Sequence, residues 1–285
     1  MVTILLDGIA YGMLLFVLAC GLSVTLGLMN FVNLAHGAFA MAGGYTTALL
    51  MNRAGVSFFL CLPLAFLVAA ALGAVMERTL YRHLYGRPHL DQVLFTIGIV
   101  FMAVSATDWA MGSQPQNIRL PEILRGRVEI LGGSIGVYRL FVIVVCGLLT
   151  VAIQAVLNGT RFGSRLRAAV DDPRVARGLG IPVNTVFALT FAFGSGLAGL
   201  GGALGTEVFG MDPTFPVKFM IYFLIVVSVG GTTSITGAFF ASLMLGIADV
   251  AGKYYVPEIG AFIIYAVMVV VLIVRPQGLF ARAGR

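Results

Sequence analysis

Long apolar runs alternate with short polar islands along the whole chain. Gly8 to Asn52 contains no Asp, Glu, Lys or Arg, and its 45 residues are about twice the roughly 20 that one helix needs to cross a bilayer. The middle of this run, MNFVNLAHGAFAMAGG (Met29 to Gly44), is polar and glycine-rich. It divides the run into a predicted span over about Ile4 to Leu28, a break, and a second span over about Ala35 to Met51. Ala54 to Met76 predicts a third span, Gln92 to Met111 a shorter fourth, Leu140 to Asn158 a fifth and Val183 to Thr206 a sixth. Phe219 to Ala248 is again uncharged and too long for one helix. GGTTSITGA (Gly230 to Ala238) splits it in two, and Ile259 to Val274 ends the series.

The pattern therefore predicts an all-α integral membrane protein, a polytopic bundle of about 8–9 transmembrane helices forming one membrane domain over residues 1–285. Both breaks are followed by a similar cadence, HGAFAMAGG (His36 to Gly44) and TGAFFASLM (Thr236 to Met244). Paired glycine-interrupted segments in two halves point to internal repeats around a transport path. Two tight interhelical loops are the plainer alternative. Among the connections, Glu77 to Asp91 is basic, and Glu207 to Lys218 and Asp249 to Glu258 read as polar loops. Gly112 to Arg139, with Pro115, Pro121 and a GGSIG stretch, is expected to hold a small hairpin or surface helix.

One island differs in kind. RFGSRLRAAVDDPRVARGLGIP (Arg161 to Pro182) carries five arginines and two aspartates. It also carries the end signals of a short helix: Asp171 or Asp172 as N-cap, Pro173 at the first position, Gly180 past the end and Pro182 as a stop. Arg174 and Arg177 are three apart and share a face, with Val175 and Leu179 as apolar neighbours. A capped polar helix between two spans faces water and is placed to meet a soluble partner. A solvated basic loop that only fixes topology is the plainer reading.

Composition agrees with the pattern. The chain is 59% hydrophobic and 11% charged, with mean hydropathy +1.00, where soluble domains carry about 25% charged residues. The net charge of +6 lies in arginine islands between spans, which suits cytoplasmic loops rather than nucleic acid. Glu77 to Asp91, the Arg161 to Pro182 island and the C-terminus are thereby placed inside, and alternation from them gives nine crossings with the N-terminus outside. Four arginines in the Gly112 to Arg139 connection oppose that assignment. Cys20, Cys61 and Cys146 lie within apolar runs, with neither even pairing nor ligand spacing, and read as packing residues. The start, MVTILLDGIA, has no positive n-region or A-x-A site.

The side-chain inventory is sparse. A phosphate-binding loop needs G-x-x-x-x-G-K-[ST]. Of the only two lysines, Lys218 and Lys253, the second follows Gly252, but Ile247 and Tyr254 stand where Gly and Ser/Thr belong. No nucleophile–base set or metal-ligand spacing is present. Asn30, Asn33, His36, Thr232, Thr233, Ser234 and Thr236, at the two breaks, are the candidate path residues. His36 is read as a packing hydrogen-bonder, a path-lining group or a proton-linked group. Glu207, Asp212, Asp108 and Asp249 are expected near span ends, and the glycines from Gly194 to Gly205 are expected to let helices approach closely.

NLAHGAFAMAGGY, the Arg161 to Pro182 island and the ending RPQGLF together resemble the membrane permeases of branched-chain amino acid ABC importers, in order over most of the chain. The resemblance implies a bacterial inner-membrane permease subunit, not itself an enzyme. It would pair with itself or a related permease, with two cytoplasmic ATPases that bind the ATP and Mg, and with a periplasmic solute-binding protein. It further implies that residues 161–182 are the coupling loop, with Asp171, Asp172, Arg174, Val175, Arg177, Gly178 and Leu179 as the docking set. The second break departs from the family's usual Leu-Gly-Gly-x-Gly-Ser-x-x-Gly, and Ala38 stands where a carboxylate is often seen. The same family group includes importers of amides, urea and small carboxylates. A secondary transporter or channel for a small neutral solute, working alone, is the alternative from another class.

Overall fold

The computed structural model describes residues 1–130, 132–232 and 234–280. Its helices are α1 (Val2–Met29), α2 (His36–Ala54), α3 (Phe58–Thr79), α4 (His89–Met111), α5 (Val137–Gly159), α6 (Arg161–Asp171), α7 (Pro173–Gly178), α8 (Val183–Phe209), α9 (Phe215–Gly230), α10 (Ile235–Tyr255) and α11 (Gly260–Val274). Between α4 and α5, where a hairpin or a surface helix is expected, lies a hairpin of strands β1 (Arg127–Ile130) and β2 (Gly133–Gly136), paired antiparallel. Six helices, α1, α3, α4, α5, α8 and α10, are long and apolar enough to cross a membrane, and α9 and α11 are shorter apolar helices. The predicted spans all fall on helices, and the chain is an all-α polytopic membrane protein.

Helix α8 is the centre. It packs against α3, α2 and α1, and its glycines explain how. A Cβ at Gly202 would run into the Ala40 carbonyl of α2, one at Gly199 into the Ala69 side chain of α3, and Gly194 lies against Gly21 of α1. Backbones in membranes associate by close van der Waals contact where small residues leave room, since lipid supplies no hydrophobic drive between helices. The expected close-packing role of the Gly194 to Gly205 stretch is what the structure shows. Helix α1 has a second such seam with α10, where Gly12 meets Ser242 and Gly246. Cys20, Cys61 and Cys146 are buried free thiols. Outward faces of α3, α4 and α5 leave Leu67, Val75, Met102, Trp109, Leu148 and Val151 uncovered, as surfaces facing lipid would.

Helices α1 and α10 run antiparallel, and the tip of the hairpin lies on Thr3 of α1. One end of the bundle therefore carries Met1, the hairpin and the α8–α9 turn, and the other carries the α3–α4 connection, α6 and α7. Arg78, Arg82, Arg87, the five island arginines and Arg275 gather at the second end. At the first, three of the cations are paired with acids: Arg139 with Asp7, Lys218 with Asp212 and Lys253 with Asp249. The arginines of the Gly112 to Arg139 connection, which argued against an outside placement, thus lie at an end whose charge is largely balanced. Arg282 and Arg285 lie outside the described residues.

The structure corrects three boundaries. Helix α10 continues to Tyr255, so Asp249 is not in a loop but is buried within the helix. Lys253, one turn on, places its ammonium 2.6 Å from the carboxylate and neutralises it. Glu207 likewise belongs to the last turn of α8. Glu77 is buried in the last turn of α3, where it accepts a hydrogen bond from the Tyr85 hydroxyl at 3.0 Å.

Candidate functional site

The Arg161 to Pro182 island folds into two helices, where the sequence pattern indicated one. Thr160 caps α6, its hydroxyl accepting from the Gly163 amide. A Cβ at Gly163 would meet the Leu157 carbonyl, so glycine lets α6 turn back hard against the end of α5. Arg167 donates to that same carbonyl at 2.5 Å. Leu166 and Ala169 of α6, Ala176 of α7, and Val183 and Val186 of α8 close a small apolar core of their own, with Phe162 and Ile181 at its edge. This core makes the island a fixed projection rather than a tether.

Asp172, not Asp171, caps α7, its Oδ1 accepting from the Arg174 amide at 2.8 Å and the Val175 amide at 3.0 Å. Asp171 is the last residue of α6. The helix ends in a Schellman arrangement: Gly180 at φ +78° donates to the Arg177 carbonyl, and Ile181 donates to that of Ala176, each at 3.0 Å. Only Ala176 of α7 faces inward. Arg174, Arg177 and Gly178 are exposed, with Val175 at 59% and Leu179 at 75%. Two aliphatic side chains flanked by two guanidinium groups are thus held in water on a six-residue helix and its C-cap, Leu179. Arg177 has one long contact, to Asn184 Oδ1 at 3.5 Å.

The break after α1 is a return into the bundle. Asn30, at φ 50°, ends α1 in the left-handed conformation that asparagine tolerates. The next residues climb alongside α4, the Val32 amide donating to Gln92 Oε1 and the Leu34 amide to Thr96 Oγ1. Helix α2 then starts level with the middle of α1, where His36 Nε2 is 2.9 Å from the Leu18 carbonyl. Because that carbonyl can only accept, Nε2 carries the proton and donates. Helix α1 continues eleven residues past Leu18, roughly 16 Å at 1.5 Å per residue. His36 is wholly buried, edge-on to Phe223. Asn33 is fully buried, and neither its Oδ1 nor its Nδ2 has a partner.

The second break differs. At the island end the Ser234 amide donates to the Gly231 carbonyl at 3.0 Å. Ser234 caps α10 by accepting from the Gly237 amide at 2.9 Å, and a Cβ on Gly237 would meet the Gly230 carbonyl. Thr232 and Thr236 are exposed. Thr233 lies outside the described residues. The two groups of candidate path residues open on different spaces. Ser234 and Thr236 border a cavity of about 700 Å³ with Gln154, Arg167, Asp171 and Phe280. Asn30 borders another, about 720 Å³, with Glu77, Arg82, Tyr85 and Arg177. Val170 of α6 borders both, so the island stands between them. Asn30 from the first group and Ser234 and Thr236 from the second therefore come close to the island, a non-local juxtaposition that local sequence could not reveal.

At the opposite end, Asp212 accepts from the Thr214 amide and hydroxyl and from Lys218 Nζ at 2.6 Å. Burial works against its charge, but Lys218 and Thr214 together hold its carboxyl below the ordinary carboxylate range. Among the described residues no cluster of His, Cys, Asp and Glu suits a metal ion.

The family described as branched-chain amino acid transport system / permease component matches residues 4–272. Among curated proteins, the chain is 27% identical to the high-affinity branched-chain amino acid transport system permease protein LivH of Salmonella typhimurium, over 97% of this chain and 94% of that one. It is 26% identical to the corresponding BraD protein of Pseudomonas aeruginosa, over 98% and 95%. To the permease protein LivM of Salmonella typhimurium it is 26% identical, over 94% of this chain and 68% of the relative. No solved structure matches.

Proposed function

The chain belongs to the branched-chain amino acid transport permease family, and from that premise we propose that it is the inner-membrane permease subunit of an ATP-driven importer. It carries branched-chain amino acids or a related small solute into the cytoplasm. Separate ATPase subunits supply the energy and bind the ATP and Mg, a periplasmic binding protein supplies the solute, and a second copy or a related permease completes the membrane dimer. The observation that carries this reading is α7: a capped helix on its own small core, presenting Val175 and Leu179 to water beside Arg174 and Arg177. Exposed aliphatic side chains ringed by cations suit a groove with an apolar floor and acidic walls on a soluble partner. Asp171, Asp172 and Gly178 shape that surface.

ATPase closure moves the permease only if its contacts with α7 differ between the two states. The island makes such coupling economical, because α6 borders both inner cavities and packs on α5 and α8. Displacement of α7 therefore reaches Asn30, Ser234 and Thr236 through one rigid projection.

The test is reconstitution with candidate ATPase and binding-protein subunits, followed by solute uptake with and without ATP. Uptake that requires all subunits and ATP is expected. Gradient-driven uptake by this chain alone would sink the proposal in favour of a secondary transporter. The double variant Arg174→Glu, Arg177→Glu should insert normally and lose coupled uptake, since each change places a like charge against the acidic wall. Unchanged ATP-dependent uptake would refute the docking role.

A further inference from the structure

At the end of the bundle opposite α7, α1, α5, α8 and α10 enclose a cup of about 120 Å³. Its walls are aliphatic: Ala10, Leu14, Val142, Val208 and Val250. Its rim carries two charges, Asp7 from the second turn of α1 and Arg139 from the first turn of α5, joined as an ion pair. Neither is used up by the other. Asp7 Oδ2 faces the guanidinium, while Oδ1 is buried with no hydrogen-bond partner. The Arg139 side chain is 46% exposed, and a guanidinium has five donors. Tyr11 also lines the cup, with Lys253 Nζ 5.7 Å from its ring centroid.

We propose that this cup is a binding site for a zwitterionic α-amino acid with an aliphatic side chain, at the end of the permease where solute is delivered. Three complementary features carry it. The Asp7 carboxylate, whose side chain is 20% exposed at the rim, attracts the solute ammonium. The outward N–H groups of Arg139 donate to its carboxylate, the geometry for which a guanidinium is suited. The branched side chain drops into the aliphatic cup, whose volume compares with the roughly 150 Å³ apolar cavity that accommodates benzene. A surface ion pair needs no apolar well beneath it. The inference rests on the importer reading and adds to it a side-chain basis for selecting aliphatic amino acids.

The experiment uses the importer assembled with its ATPase and binding-protein subunits in proteoliposomes, comparing ATP-driven uptake of leucine, alanine and phenylalanine. One methylene in an apolar pocket discriminates by about 10–200-fold. Val208→Phe, which fills the cup, should lower leucine uptake about tenfold relative to alanine. Val208→Ala, which widens it and removes only two methyl groups, should shift preference toward phenylalanine. If Val208→Phe does not assemble, Val208→Ala alone decides. A leucine-to-phenylalanine ratio unchanged within about twofold in assembled Val208→Ala importer would overturn the site while leaving the importer reading intact. Absence of ATP-dependent uptake of any aliphatic amino acid by the unmodified importer would overturn that reading, and the site with it.

Discussion

At the scale of single residues, Asp172 shows how little separates a surface helix from a loop. Helix α7 has six residues, far short of the length at which an isolated helix holds in water. Its first two amide donors after Pro173 are both satisfied by one carboxylate oxygen. Asp172→Ala should cost about 1 kcal/mol locally, whereas Asp172→Asn keeps an acceptor and most of the cap. Hydrogen exchange at the Arg174 and Val175 amides should accelerate roughly fivefold in the alanine variant alone; equal rates in all three proteins would show that the cap is irrelevant. The cap was readable in sequence to within one residue. His36 was readable as a polar residue at a break, but its partner Leu18, eighteen positions away, depends on how the chain re-enters the bundle.

At the scale of elements, the α8 seam sets a contest between two magnitudes. Gly to Ala inside a helix gains about 1 kcal/mol of intrinsic propensity, while overpacking a tight contact costs about 1–3 kcal/mol. At Gly202 the Ala40 carbonyl blocks the new methyl; at Gly147 on α5 nothing lies within 4 Å. Gly202→Ala should therefore lower the melting temperature in detergent and Gly147→Ala should hold or raise it. A stabilised Gly202→Ala protein would contradict the packing described. Helix positions and the hairpin were legible because apolar runs and turn residues are local signals. Helix α6 was not recognised as separate from α7, although Phe162, Leu166, Ala169 and Val170 mark an apolar stripe at helical spacing; the arginines among them obscured it. The inner ends of α1 and α10 share a bundle end with the island only through non-local packing, and no local pattern carries that information.

At the scale of the whole molecule, charge is distributed by end rather than by segment. The arginines between α4 and α5 look discordant when counted along the chain, yet they belong to an end where Asp7, Asp212 and Asp249 each hold a cation. The island end has no such compensation among its described ion pairs. Cavities lie at both ends: two of about 700 and 720 Å³ flank α6, and opposite them lie the aliphatic cup of about 120 Å³ and a cavity of about 370 Å³ beside Asp108, Asp212 and Lys218.

The burial of Cys20, Cys61 and Cys146 gives the native chain a practical property. In a folded sample all three thiols are shielded, so a maleimide dye should label the unmodified protein only after denaturation, and rapid labelling beforehand would show a thiol to be accessible. Cysteine introduced at Val175 or Leu179 would then be the sole reactive position, without first removing the natural ones. Should the proposed dimeric importer assemble, fluorescence transfer between one such label on each permease would report whether the two projections separate when ATP is added.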